Sequence, residues 1–259
     1  MALKYIDISK YQNKPDFTKV KAAGVDGVII RAGYGRNNID EQFKRNISEC
    51  NRLDIPCGVY WFSYAYTEEM ARKEAEYCLA AIKPYKVELP VCFDFEYDSV
   101  NYAEKNGINV TKELATSLVH AFCGAVEASG YYAMNYANPD FLSRYFDDTT
   151  SRYDLWLAVW PEKPNPDNPP RKCGIWQWGG SAIHGIETGL VDTNAAYNDY
   201  AAIIRNAGLN RLNEKPEVSE TEKARQWVIS QGISDGTRGD SPATRYEVWT
   251  MLYRMSGAK

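Results

Sequence analysis

The sequence predicts an α/β fold: an irregular (β/α)8-type barrel over residues 1–208, a linker over 209–219, and a small C-terminal helix-loop-helix module over 220–259. Three observations carry this. Eight short apolar runs rich in β-branched and aromatic residues recur along the chain, helical patterns separate most of those in the first half, and the composition changes after Asn206. Strand and helix in alternation mark repeated βα units, and eight is the strand count that closes such a barrel. A chain of 259 residues holds one full-size core of that kind with a small appendage, but no second large domain.

The predicted strands are Lys4–Ser9, Gly27–Tyr34, Cys57–Tyr64, Val91–Glu96, Tyr132–Tyr136, Leu155–Trp160, Gly174–Trp178 and Leu190–Asn194. Between them, Asp40–Leu53, Thr67–Ile82 and Thr111–Ser129 read as helices, the second opening with Thr67-x-x-Met70 and the third stopping before Gly130. The later half is looser. Tyr197–Asn206 is helical, but Pro161–Pro170 carries five prolines and forms an irregular loop, placed after the sixth strand on the face where barrels build their sites. Gly208 and the polar stretch Asn210–Ser219 read as the linker. Beyond it, Thr221–Gln231 is a helix, Gly232–Asp240 a loop, and a second helix starts at Ser241-Pro242 or at the capping box Thr244-x-x-Glu247. Two helices of this size scarcely bury a core, so the module is expected to pack on the barrel, on a copy of itself or on a ligand.

Composition excludes several classes of function. The net charge of −4 leaves no basic footprint for nucleic acid, and no apolar stretch is long enough for membrane insertion. The 19 Tyr and 7 Trp offer many flat apolar faces with a hydrogen-bonding edge, which suit sugar rings as well as cores. Six cysteines (Cys50, Cys57, Cys78, Cys92, Cys123 and Cys173) form no C-x-x-C pair and have only His120 and His184 as imidazole partners, so they read as mostly buried free thiols rather than a zinc site. The segment Met1–Asp7 lacks the features of a signal peptide, and with the thiols it fits synthesis in a reducing cytosol.

In Phe93-Asp94-Phe95-Glu96 the acids are two apart, so in a strand they share one side while the phenylalanines face helices. A carboxyl beside another in a partly dry cleft resists ionising, which is how a Glu is kept protonated as a general acid. Asp7 closes the apolar start of the first strand and Asp192 follows Leu190-Val191 in the last, which an eight-stranded barrel places beside the first. Four acids then converge on one mouth. Glycoside cleavage needs such a group, one acid to protonate the leaving oxygen and another to stabilise or attack the anomeric centre. Serine-triad, phosphate-loop and zinc-protease chemistry lack their motifs, and a hard divalent cation fits the aromatic surroundings less well than a sugar, so no metal or cofactor is expected.

Over Lys4–Arg205 the chain resembles the family-25 glycoside hydrolases, the Chalaropsis-type lysozymes of fungi, bacteria and phage. The resemblance rests on Asp7-Ile8-Ser9-x-x-Gln12, Gly58-Val59-Tyr60-Trp61-Phe62, Phe93-Asp94-Phe95-Glu96, Leu155-Trp156-Leu157-Ala158, Ile175-Trp176-Gln177-Trp178 and Val191-Asp192-Thr193-Asn194. It implies a barrel that departs from (β/α)8 regularity in its second half, and hydrolysis of the β-1,4 bond from N-acetylmuramic acid to N-acetylglucosamine with net retention. Glu96 would be acid then base, Asp94 would orient the acetamido group or stabilise the anomeric carbon, and Asp7 and Asp192 would complete an acidic floor. Tyr60 and Tyr136 would bond the sugar, Trp156, Trp176 and Trp178 would line the cleft, and Gln12 and Arg31 would support it. Where the family often carries His, this chain has Trp61. The tail resembles a single S-layer-homology helix-loop-helix, for which wall binding and self-association are equal alternatives. These features together read as a phage endolysin, held in the host cytoplasm until lysis and then acting on bacterial peptidoglycan.

Overall fold

All eight predicted runs form strands of one closed sheet. The computed structural model describes residues 2–213, 220–234 and 242–256, which fall into two units, Met1–Asn213 and Glu214–Lys259. In the first unit the strands are β1 Leu3–Ile8, β2 Gly27–Tyr34, β3 Asn38–Ile39, β4 Cys57–Phe62, β5 Val91–Asp94, β6 Ala133–Ala137, β7 Asp154–Ala158, β8 Ile175–Ala182 and β9 Leu190–Ala196. Strand β3 only forms a short antiparallel hairpin with β2, and the other eight close the ring. The order β1-β2-β4-β5-β6-β7-β8 is parallel throughout, whereas β9 runs antiparallel to both of its neighbours, β8 and β1. The second half therefore departs from the βα repeat, and a β8–β9 hairpin replaces the last crossover helix.

Side chains alternate across this sheet with period two. Tyr5, Ile29, Cys92, Met134, Trp156 and Ile175 pack in the barrel interior. Their neighbours Ile6, Ile8, Ile30, Val59, Trp61, Val91 and Phe93 face outward and join Phe43, Ile47, Ala71, Ala75, Leu118 and Phe122 from the surrounding helices. Those helices are α1 Phe17–Ala22, α2 Phe43–Arg52, α3 Glu68–Ile82, α4 Tyr97–Lys105, α5 Lys112–Ala128, α6 Pro139–Arg144 and α7 Tyr200–Asn206. Thr67 and Thr111 cap α3 and α5 through bonds from the Met70 and Leu114 amides, each 3.2 Å. Three helices escape the sequence reading. Helices α1 and α6 have six residues each, too few for a period to register, and α4 begins directly after Glu96, the expected end of the fourth strand, with no loop between to mark its start. Helix α7 starts later than its predicted Tyr197 because Asp199 caps it, accepting from the Ala202 amide at 3.0 Å.

The first unit continues past the predicted boundary at residue 208. Asn210 is 3% exposed, at φ +54, and its side chain accepts from the Tyr132 amide at 2.7 Å while donating to the Val87 and Leu89 carbonyls. One short amide thus closes three loose ends beneath the barrel. Of the predicted linker, residues 214–219 lie outside the described residues, as do residues 235–240 of the following loop and Ser241. In the second unit, helix α8 spans Glu220–Ser230 and helix α9 spans Arg245–Met255. The Thr244–Glu247 capping box begins α9. Five of the six free cysteines are buried.

Candidate active site

The pocket is built by one rule applied around the ring. Five of the parallel strands place a deep side chain in the barrel and a polar one two residues further toward the mouth: Tyr5 then Asp7, Ile29 then Arg31, Cys92 then Asp94, Met134 then Tyr136, Ile175 then Gln177. Asp94 is the last residue of β5. Glu96, predicted to end that strand, is instead the residue that caps α4, with its backbone amide donating to Ser99 Oγ at 3.0 Å. Its dihedrals stay extended (φ −130°, ψ −169°), so the two acids still share one side, where the charge of Glu96 acts on Asp94. Phe93 and Phe95 stack on the opposite side, against Phe122 and Phe141.

Asp192 reaches the same pocket for a reason the sequence did not supply. It stands third in β9, and in a parallel strand that position would lie at the bottom of the barrel. Because β9 is reversed, Asp192 is the register partner of Asp7 at the mouth. Asp7 Oδ2 accepts from Gln177 Nε2 at 3.0 Å and from Asn194 Nδ2 at 2.8 Å. Gln177 Oε1 in turn accepts from the Tyr136 hydroxyl at 3.1 Å and the Trp160 indole at 3.2 Å, and Asn194 Oδ1 from the Trp156 indole at 2.7 Å.

This arrangement favours the protonated forms of the acids. Burial, then the charge of Asp192, pushes Asp7 up to about 7 against the pull of its two amide donors. Burial and the neighbouring Glu96 and Asp7 hold Asp94 well above the carboxylate range, and burial also raises Glu96 and Asp192. Four carboxyls this close cannot all ionise near neutral pH. Asp94 Oδ1 is buried and has no hydrogen-bond partner, so a ligand N–H would satisfy it.

Of the predicted sugar-binding residues, Tyr60 and Tyr136 lie with the acids, sharing electrostatic contact with Asp7 and Asp94. Arg31 belongs to the rim, held by Asp40 at 2.8 Å. Three others differ from expectation. Trp156 is 2% exposed and meets Tyr60 and Tyr136 edge-on at 6.0 and 4.9 Å, so it props the floor from below. Trp176 alternates with inward-facing Gln177 and is buried, donating to the Val159 carbonyl at 2.9 Å, away from the cleft. Gln12 is occupied by the turn after β1, where its side chain accepts from the Ser9 amide at 2.8 Å. Trp178 is half-buried at the bulge between Gln177 and Gly179. Trp61, at the position where the family often has His, faces the helices rather than the acids and rests near Tyr77. The residues the sequence reading passed over are Gln177, Asn194, Asp40 and Trp160. Gln177 and Asn194 were findable, since Asn194 lies two residues from Asp192 on one strand face.

The family model described as Glycosyl hydrolases family 25 matches residues 6–185, more than half of the chain. Among solved structures, the modular autolysin LytC from Streptococcus pneumoniae is similar at 29% identity and a TM-score of 0.63, over 76% of this chain and 47% of that one. The chain thus spans about half the length of that autolysin. A family 25 glycosyl hydrolase from Bacillus anthracis shares 23% identity at a TM-score of 0.64, over 78% and 92%. The CTP1L endolysin shares 17% identity at a TM-score of 0.62, over 98% of both chains. No curated protein matches the sequence.

Proposed function

The chain belongs to glycosyl hydrolase family 25, and from that premise we propose that it is a peptidoglycan hydrolase cutting the β-1,4 bond from N-acetylmuramic acid to N-acetylglucosamine. The observation that carries this reading is the convergence of four acids on one buried pocket, Asp94 and Glu96 on one side of β5 and its continuation and Asp7 beside Asp192 at the mouth. Glu96, kept protonated by burial, gives its proton to the leaving glycosidic oxygen as the bond to the anomeric carbon breaks. The buried, unpartnered Asp94 Oδ1 accepts the acetamido N–H, which aims the substrate's own acetamido oxygen at the anomeric carbon for attack. Water activated by the Glu96 carboxylate then opens the cyclic intermediate, and the two displacements give net retention. Tyr136 and Tyr60 flank the sugar, and Asp7 and Asp192 form the floor.

Product analysis tests the assignment. Digestion of purified peptidoglycan should place muramic acid at the new reducing ends, released first as the β-anomer. Glucosamine at those ends would overturn it, and the α-anomer would remove the retaining scheme.

The similarity to an endolysin along nearly the whole chain supports a lytic role on the bacterial wall after release from a host cell. In the second unit, Trp227, Trp249, Leu252 and Tyr253 are more than half exposed, which supports a docking role on wall glycan or on a second copy. Sedimentation of the full chain separates these: a dimer at micromolar concentration supports self-association, while a monomer that pellets with wall sacculi supports wall binding.

A further inference from the structure

A row of tyrosines continues outward from the acids at the same end of the barrel. Tyr11 follows β1, Tyr34 ends β2, Tyr64 follows β4, and Tyr102 lies on α4, just past β5. The row starts at Arg31, whose charge acts on both Asp94 and Tyr60 and whose guanidinium lies 5.2 Å from the Tyr11 ring and 5.6 Å from that of Tyr34. Tyr34 meets Tyr64 edge-on at 6.5 Å, and Tyr64 meets Tyr102 at 5.0 Å. Tyr11 and Tyr102 stay 67% and 41% exposed. A contiguous exposed aromatic surface running into a polar pocket is a mark of a ligand groove.

The central ring is held in place before any ligand arrives. Gly35, at φ +51, turns the chain beneath Tyr64, and a Cβ there would stand 3.0 Å from the Tyr64 ring. The Trp61 indole donates to the Gly35 carbonyl at 3.2 Å. The Tyr64 amide donates at 3.0 Å to Glu74, itself 3% exposed, and the adjacent Ser63 amide donates at 2.7 Å to the backbone carbonyl of Asp94. One loop therefore ties the tyrosine row to the backbone of a pocket acid. Two of the cations beside the row are already neutralised, Arg31 by Asp40 and Lys10 by Glu41. Flat rings with hydroxyl rims and paired charges suit uncharged sugar rings better than the anionic stem peptide of a wall polymer.

We propose that Tyr11, Tyr34, Tyr64 and Tyr102 form an accessory glycan subsite that holds sugars of the same strand beyond the bond being cut. The proposal rests on the muramidase reading and deepens it, assigning the enzyme a preference for long strands. Its test compares kcat/KM on long glycan strands with kcat/KM on a tetrasaccharide, for the native chain, Tyr102→Ala and the Tyr64→Ala/Tyr102→Ala double variant, each checked by melting temperature. The long-to-short ratio should fall about tenfold in the double variant and less in Tyr102→Ala, through KM rather than kcat. An unchanged ratio in well-folded variants overturns the subsite. So does a loss seen only with strands that still carry stem peptides, which would assign the row to peptide. If the native chain cuts neither substrate, the muramidase reading fails instead, and calorimetric binding of uncut strands then decides the subsite: equal affinity for native and Tyr102→Ala chains overturns it.

Discussion

Glu96→Gln should lower kcat on peptidoglycan by about a thousandfold and leave the fold intact. A positioned general acid contributes about 10²–10⁴ in rate, and in the proposed scheme one carboxyl serves both half-reactions, so its loss falls at the upper part of that range. The amide is nearly isosteric, and the backbone amide of Glu96 keeps its bond to Ser99 Oγ. It also removes one ionisable group from a cluster whose members raise one another through burial and charge, so melting temperature should hold or rise. Release of reducing ends beside a thermal melt measures both quantities. A kcat within tenfold of the native value, with an unchanged melt, would move proton transfer to another carboxyl, Asp192 being the next acid of the pocket.

Much of this site was legible because strand periodicity is strict and local. A D-x-E pattern after apolar Val91 and Cys92 places two acids on one side regardless of tertiary detail, and the extended dihedrals of Glu96 preserve that after the strand has ended. Direction along a strand is not local. Nothing within Leu190–Asn194 says that β9 is reversed, and only that reversal brings Asp192 to the mouth beside Asp7. Register, not aromatic character, decides which way a side chain faces. Trp176 follows inward-facing Ile175 and precedes inward-facing Gln177, so alternation alone turns it away. Second partners were least legible. Asp40 holds Arg31 from nine residues away, and Trp160 reaches Gln177 from the proline-rich side of β7; both depend on loops whose path no period encodes.

The same crowding of carboxyls should make the protein less stable as pH rises from 5 to 7, and Asp7→Asn should remove part of that slope. Asp7 titrates near 3.8 in an unfolded chain and near 7 in the folded one. Between those values the folded state binds the extra proton, so its stabilising contribution is complete below about pH 4 and is lost as pH climbs through 7. Asp16, Glu49, Glu113 and Asp147 shift the opposite way through hydrogen bonds to their charged forms, but they complete their ionisation at lower pH and leave this window clear. Glu74, raised to about 7 by burial, slopes in the same sense in both proteins and cancels from the difference. The asparagine keeps an oxygen for Gln177 and Asn194 to donate to, so the clamp survives while the ionisation does not. Relative to the native chain, the variant should gain about 2 kcal/mol in unfolding free energy between pH 5 and pH 7, read from urea midpoints at each pH. Parallel stability curves would show that Asp7 is ionised across the whole window, and the crowded-acid account of the pocket would fall with it. A gain in stability together with a loss of activity is the pattern of a site whose buried charges are held for chemistry at a cost to the fold.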